Sequence, residues 1–565
     1  MKHLYLFSLL LVAPAIYADS MQQDGTVVGT VHMVSAANPL ASQAGLDVLE
    51  AGGTAIDAAV AVQLVLNLVE PESSGIGGGA FLLFWDASAN KLLTYDGREK
   101  APSSATPEYF FGKDGKPMKW PDARTGGLSV GVPGTLKLLE VAHAEHGLAP
   151  WKSLIKPAID SAEKGFVVSS KLSEAIEAAS ERGLTNFDTT RAYFFNEDGS
   201  ARTAGSTLKN PAFAETLKRI AEYGSTPFYE GIIAQGIVDA VKTDTNTGQL
   251  TMADMASYEV IKREPVCFDY REYEICGMGP PTSGGLTMGQ ILTILSNHDI
   301  PAMGDSVEAW HLYIEAAKLA YADRGMYMAD SDFVDMPEGL LNRKYLAERA
   351  ALIDLSKAMA KAEAGNPPWD EAQLLSPDTQ IERPGTSHFV ISDRYGNQVS
   401  MTTTIESGFG SRVMSGGFLL NNELTDFSFT PERDGKPVAN RVEGGKRPRS
   451  SMSPTIVLRN GQPYLLTGSP GGSRIINYVT QSLIAMLDWN MSPQSALDMG
   501  HIVNRNGKTD LEEGSQAAEL QGPLEALGHE VNARALNSGL HAIMLKHGKL
   551  LGAADPRREG VAMGR

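Results

Sequence analysis

The spacing of apolar residues changes character along the chain, and the changes mark its elements. Ala36 to Val69, AANPLASQAGLDVLEAGGTAIDAAVAVQLVLNLV, predicts two helices separated at Gly52-Gly53. The first has an apolar face of Ala44, Leu46, Val48 and Leu49; the second is apolar almost all round, which predicts burial. A glycine loop, SSGIGGGA, leads into a strand, FLLFWD. Helical spacing dominates from Leu136 to about Leu295, and another helix is expected over Ser306 to Gly325. Between Asp354 and Gly385 an Ala/Lys-rich helix is expected to give way to GNPPWDEAQLLSPDTQIERPG, whose prolines and polar residues predict an exposed connector. From Thr386 onward the pattern turns to strands: SHFVISD, QVSMTTTI, SPTIVLR and PYLLTG. A helix-rich first two-thirds and a strand-rich last third predict a mixed α/β fold with an antiparallel sheet.

Turn chemistry adds register. SHFVISD and NQVSMTTTIE are joined by Arg394-Tyr395-Gly396, a three-residue loop with glycine third, where a left-handed residue follows a type I turn. This loop pairs Asp393 with Asn397 and therefore Thr386 with Thr404. Glu406 and His388 then fall on the same side, since side chains alternate. A two-residue loop would send Thr404 and Glu406 to the other face. In VCFDYREYEIC a two-residue loop at Arg271-Glu272 would set Cys267 opposite Cys276. Arg-Glu suits such a loop poorly, so a disulfide and two free thiols both stay open; a zinc site lacks a second cysteine pair or an HExxH.

The 565 residues carry a net charge of −18, which excludes a nucleic-acid partner because phosphate neutralisation needs a basic surface. Hydrophobic content of 42% is that of a globular chain. The first residues, MKHLYLFSLLLVAPAIYADS, place Lys2 before an apolar run from Leu4 to Val12, followed by small residues at Ala13, Ala15 and Ala18. That is the layout of a secretory leader over residues 1–18, so an exported protein, periplasmic or extracellular, is expected. The run is shorter than the roughly 20 residues of a membrane span, an uncleaved anchor being the other reading.

Candidate chemistry centres on Thr386. If the Gly385–Thr386 bond breaks, Thr386 gains an α-amine of pKa about 7.7–8.0, able to take the hydroxyl proton and activate the alcohol without a histidine. Thr404 opposite would orient that hydroxyl. Acyl transfer also needs oxyanion donors. YLLTGSPGGSRIINYVTQSLIAML reads as strand, glycine loop, helix, with the Gly471 and Gly472 N–H groups unobstructed near a helix N-terminus.

TSHFVISDRYGN, LLNNELTDFS, RPRSSMSPTIV and TGSPGGSRI resemble the γ-glutamyltransferase (glutathione hydrolase) family of N-terminal-nucleophile hydrolases. ANPLASQAG, GGTAIDAAVA, EPESSGIGGGAF, DGREKAP, VGVPGTL, PPTSGG and YADR extend the resemblance over nearly the whole mature chain. It implies a four-layer αββα sandwich and self-cleavage at Gly385–Thr386 into a large subunit, 19–385, and a small subunit, 386–565, that form a heterodimer. Donors would be glutathione and glutamine-like γ-glutamyl amides; acceptors would be water, amino acids or peptides; no cofactor or metal is implied. Thr386 would be the nucleophile, Thr404 its support, and Gly471 and Gly472 the oxyanion hole. Arg98, Ser450 and Ser451 would hold the substrate α-carboxylate, and Glu406, Glu423 and Asp426 its α-ammonium. The cation and the anions suit a zwitterionic amino-acid head on charge grounds alone.

Two departures bear on substrate range. Glu406 stands where many members carry asparagine. FSFTPERDGKPVANRVEGGK, between Asp426 and Arg447, is shorter than in members with a lid over the site and lacks the tyrosine such lids carry, so a more open pocket is expected. Rival readings are weaker on context. Gly127-Leu128-Ser129-Val130-Gly131 fits a serine-hydrolase elbow, but the run continues extended to Pro133. Gly75 to Ala80 fits a dinucleotide loop, but helix and strand come in the reverse order. A non-catalytic binding protein would have no need of the Thr386, Thr404 and glycine set. An acylase for glutaryl-β-lactams or poly-γ-glutamate remains the neighbouring enzyme reading.

Overall fold

The computed structural model describes residues 24–370 and 373–565; the leader expected over residues 1–18 lies outside the described residues. The main strands are β1 (Val27–Gly29), β2 (Met33–Ala36), β3 (Gly79–Asp86), β4 (Lys91–Gly97), β5 (Val266–Tyr270), β6 (Tyr273–Gly277) and β7 (Thr386–Ser392), then β8 (Gln398–Thr404), β9 (Thr455–Arg459), β10 (Gln462–Gly468), β11 (His541–Lys546), β12 (Lys549–Ala554) and β13 (Val561–Gly564). They build a seven-stranded sheet, β1-β12-β11-β10-β9-β6-β5, and a six-stranded sheet, β13-β2-β7-β8-β3-β4. Pairing along β2-β7-β8-β3-β4 is antiparallel throughout.

The sheets meet where β7 and β8 lie against β10 and β11. Helices α1 (Pro39–Glu50), α2 (Ala55–Val69) and α3 (Thr135–His146) pack on the six-stranded sheet. Helices α4 (Gly284–Leu295) and α6 (Ile475–Leu487) pack on the seven-stranded sheet, with α5 (Val307–Tyr327) against α4. Alternation in β3 explains its unbroken apolar run. Ala80, Leu82 and Phe84 join the core under α1–α3, while Phe81, Leu83 and Trp85 join the core shared with the other sheet. Asn38 caps α1 ahead of Pro39, and Thr54 and Asp57 form a capping box on α2, which is buried along its whole length as its sequence predicts.

The β7–β8 hairpin has the expected register: Thr386 pairs with Thr404, and Gly396 takes φ +87°. Cys267 and Cys276 face each other across β5–β6 and are disulfide-bonded. Arg271 occupies the left-handed region at φ +56°, and its side chain is tied to Asp488 at 3.1 Å, which compensates for an unfavourable loop residue. This hairpin interrupts the helical stretch expected up to Leu295.

The Ala/Lys-rich helix expected after Asp354 does not form. Its backbone donors bond elsewhere: Ala358 N to Leu527 O, Met359 N to Glu315 Oε2, Ala362 N to Asn506 Oδ1 and Gly365 N to Asp323 Oδ1. Tertiary partners outcompete helix propensity here. The connector is exposed at Leu374 and Ile381 but plunges inward at its end, where Glu382 and Gly385 are buried.

Candidate active site

Thr386 opens β7 at the rim between the two sheets and is 3% exposed. The chain is uncut, and the Gly385 carbonyl accepts two hydroxyls at 2.7 Å, from Thr386 Oγ1 and Thr404 Oγ1. The two hydroxyl oxygens are 3.3 Å apart. Thr404 thus polarises the carbonyl that Thr386 adjoins, as well as neighbouring its hydroxyl. Arg558 Nη1 donates to the Thr386 carbonyl at 2.9 Å.

Gly385 has a steric reason for its identity: a Cβ there would overlap the Glu406 carbonyl and the Ser407 backbone. Glu406 itself sits at φ +74°, a cost that a non-glycine residue bears only where the surroundings enforce it. Its backbone N–H donates to Thr404 Oγ1 at 2.8 Å, and its carboxylate accepts from Arg383 N at 3.1 Å and Asn422 Nδ2 at 2.5 Å.

The residues named for the substrate head group converge on one small cavity of about 20 Å³. Arg98, Thr386, Thr404, Glu406, Glu423, Asp426, Ser450, Ser451 and Gly472 all line it. They bond to one another. Arg98 donates to Glu423, to Asp426 at 2.7 Å, and to the Pro448 and Arg449 carbonyls at 3.1 and 3.0 Å. Burial alone would lower the Arg98 guanidinium, but Glu423, Asp426 and Glu99 outweigh it and hold it above its usual value. Burial pushes Glu423 and Asp426 well up, against the pull of Arg98. One arginine cannot balance Glu99, Glu406, Glu423 and Asp426 together, so these buried carboxyls resist ionisation and a bound cation would favour their charged forms.

In the uncut chain the pocket is narrowed by the connector end, whose Glu382 and Arg383 line it; the stretch from Phe427 to Lys446 forms a two-strand turn over Glu432–Pro437 and contributes no lining residue. Glu382 is bonded to Arg324 and lies 3.4 Å from Arg449, and its carbonyl accepts from Ser473 N at 3.2 Å. A Cβ at Gly472 would overlap the Arg383 and Glu382 carbonyls, so the connector runs directly over this glycine. Gly471 lies one residue behind, at φ +140°, and does not line the cavity. Ser450 Oγ accepts from Met452 N at 3.1 Å and Ser451 Oγ from Arg324 Nη2 at 2.8 Å.

Sequence reasoning missed Glu382, Arg383, Asn422, Arg324, Arg449 and Arg558. The runs NNELTD and RPRSS carried Asn422 and Arg449 beside chosen residues, while nothing local marked Glu382 or Arg558. Ser129 lies in a short 3₁₀ turn, buried, its hydroxyl donating to Arg124 O at 2.6 Å; no strand-to-helix elbow surrounds it. The Gly77–Gly79 run permits close packing, against Leu419 O, Thr404 O and Glu99. His388 is fully buried and neutral, held down by burial and by His541, and contacts Thr402 Oγ1 at 2.9 Å.

Among the described residues two groups gather metal-type ligands, and neither borders Thr386. Cys267 and Cys276 beside Glu274 are disulfide-bonded. His311, Glu315 and His529 enclose Lys318 Nζ, 2.8 Å from Glu315 and 2.6 Å from Met359 O, so a cation already fills the group.

The sequence profile described as Gamma-glutamyltranspeptidase matches residues 41–565. The chain is similar to the glutathione hydrolase proenzyme of Bacillus subtilis (strain 168), 38% identical over 564 residues, covering 98% of this chain and 94% of the relative. Its fold is similar to that of cephalosporin acylase from Bacillus halodurans, with a TM-score of 0.85 and 28% identity, covering 99% of each chain. Similarity to the gamma-glutamyltranspeptidase of Helicobacter pylori has a TM-score of 0.54 and 38% identity, covering 56% of this chain and 90% of that one.

Proposed function

Because this chain belongs to the gamma-glutamyltranspeptidase family, we propose that it is a proenzyme that cuts itself before Thr386 and then transfers γ-glutamyl groups. Donors are glutathione and related γ-glutamyl amides; acceptors are water, amino acids or peptides. It is an enzyme of this family.

The observation that carries it is the Gly385 carbonyl held by two threonine hydroxyls. Attack of Thr386 Oγ1 on that carbonyl carbon forms an ester as the Gly385–Thr386 C–N bond breaks. The hydroxyl proton passes to the departing nitrogen, and water then hydrolyses the ester to a Gly385 carboxylate and a free Thr386. The new α-amine, with a pKa of about 7.7–8.0, is the base for the second reaction. It takes the Thr386 proton as the oxygen attacks a γ-carbonyl, the Gly471 and Gly472 N–H groups steady the oxyanion, and the proton leaves with the amine. Water or an acceptor amine resolves the γ-glutamyl ester. Arg98, Ser450 and Ser451 receive the donor α-carboxylate; Glu406, Glu423 and Asp426 receive its ammonium.

The products, 19–385 and 386–565, stay together as a heterodimer on this reading. Each large sheet draws strands from both sides of the cut. The helix, sheet, sheet, helix contacts fit a four-layer αββα sandwich. The disulfide supports export by a leader over residues 1–18 to the periplasm or cell exterior; among the described residues no helix is long and apolar enough to cross a membrane.

Intact mass and N-terminal sequencing of the purified protein, beside Thr386→Ala, test the reading. Two fragments, the smaller beginning Thr-Ser-His-Phe and absent from the variant, are expected; an uncut wild-type chain would overturn it. The likeness to a cephalosporin acylase favours one second reading, an acylase for glutaryl amides. Such a group has no ammonium, so a higher kcat/KM on glutaryl than on γ-glutamyl amides would select it.

A further inference from the structure

A second cavity, of about 510 Å³, shares Arg383 with the head-group pocket and is also lined by Pro384 and Gly385. It therefore opens onto the scissile bond. In a chain of net charge −18 its lining is basic: Arg124, Lys171, Arg182, Arg412 and Arg558 face it, against the single carboxylate of Glu72. Lys171 is paired with Glu70 at 3.4 Å. The side chains of Arg124, Arg412 and Arg558 donate to main-chain carbonyls, and among the described residues neither they nor Arg182 reach a carboxylate at ion-pair distance.

Arg412 is 2% exposed, and burial with Arg124 alongside pulls it down to about 9. A buried guanidinium without a counter-ion is costly, and an incoming anion would relieve the cost. The Trp120 ring lies 5.2 Å from Arg124 and 5.0 Å from Arg383, which orients both guanidinium planes. The uncut pocket encloses only about 20 Å³, so an acyl head enters once the connector end moves aside, and the amine half of a substrate amide then extends away from the head-group residues. At Gly385 the way leads into this cavity.

We infer that the basic cavity binds carboxylates on the amine side of the scissile γ-amide, in the leaving group or the acceptor. This rests on the γ-glutamyl-transfer reading and deepens it: the preferred amine partners are amino acids or peptides carrying more than one carboxylate. Paired guanidinium forks suit such groups.

The test compares processed wild-type enzyme with Arg124→Gln/Arg182→Gln, whose sites are partly or fully exposed. Two donors are used, γ-glutamyl-glutamate and its analogue with both amine-side carboxylates converted to amides. Wild type is expected to favour the charged donor in kcat/KM, and the double variant to lose about tenfold on it, as two partly screened contacts would give. The neutral donor should stay within about twofold, which a general structural defect would not produce. Equal loss on both donors, or none, overturns the inference. If wild type turns over neither donor, the function reading fails instead. Calorimetry with α-glutamyl-glutamate then decides the cavity alone: binding lost in the double variant supports it, and equal or absent binding to both proteins overturns it.

Discussion

Arg98 and Arg412 are both almost fully buried and both stand near the Gly385–Thr386 bond, yet their surroundings are opposite. Arg98 bonds to Glu423 and Asp426, with Glu99 3.8 Å away, and is held above its usual pKa. Arg412 meets the Gly410 and Arg182 carbonyls and is pulled down to about 9. The first cluster has more carboxyls than its arginine can balance and suits an ammonium; the second has spare positive charge and suits carboxylates. Between them runs the connector end, Arg383-Pro384-Gly385, which lines both cavities at Arg383. A donor with a zwitterionic head and an acidic amine partner presents the complementary order of charges.

The boundary is the place where the comparison breaks most completely. Gly385→Ala puts a Cβ against the Glu406 carbonyl, so processing is expected to stop, with one uncut band on a denaturing gel and activity at background. Processing at the normal rate would show that the segment is freer than its packing implies. Arg98→Gln and Arg412→Gln then test the two clusters. Removing Arg98 leaves buried carboxylates unpaired and should cost about 3–5 kcal/mol by denaturant unfolding. Removing Arg412, which neutralises no carboxylate, should cost under about 1 kcal/mol. Equal costs would abolish the distinction.

A narrower effect separates the head group's charges. Glu423→Gln should lower kcat/KM about 100-fold on γ-glutamyl amides, the scale of a buried charge contact, and under threefold on glutaryl amides. The same loss on both would place Glu423 outside ammonium recognition. The smallest effect is a pH dependence in the basic cavity. Burial, with Glu70 nearby, raises Glu72 to about 7, against the opposing pull of Lys171 and Arg558. Below that pH Glu72 is neutral and the cavity keeps its full positive charge; above it, the carboxylate offsets one cation. Preference for the acidic amine partner should therefore fall about twofold as pH rises from 6 to 8. Glu72→Gln should flatten that profile, and an unchanged slope would remove Glu72 from the cavity's charge balance.

That the head-group residues gather around Thr386 was legible because they travel with local motifs. DGREKAP, NNELTD and RPRSS each carry a charged or hydroxyl residue that the fold brings to the head-group pocket. The basic cavity was not legible. Its cations come from positions 124, 171, 182, 412 and 558, with no shared spacing, and only the fold turns them to one space. The connector misled in the same way. Prolines and polar residues around Glu382 read as exposed, whereas Arg324 and Arg449 draw that carboxylate inward.

The sequence by itself determined the β7–β8 register, because a glycine at the third loop position decides the turn and alternation does the rest. It also determined the two helices before β3, whose caps and apolar spacing lie within their own residues. Tertiary structure decided whether residues 355–363 became a helix, since Glu315, Asn506 and Leu527 supply partners for their backbone. It alone decided that the connector end lies over the pocket and that opposite charges flank the Gly385–Thr386 bond. Local dihedral preferences act over a few residues, whereas burial and charge pairing depend on chain segments hundreds of residues apart.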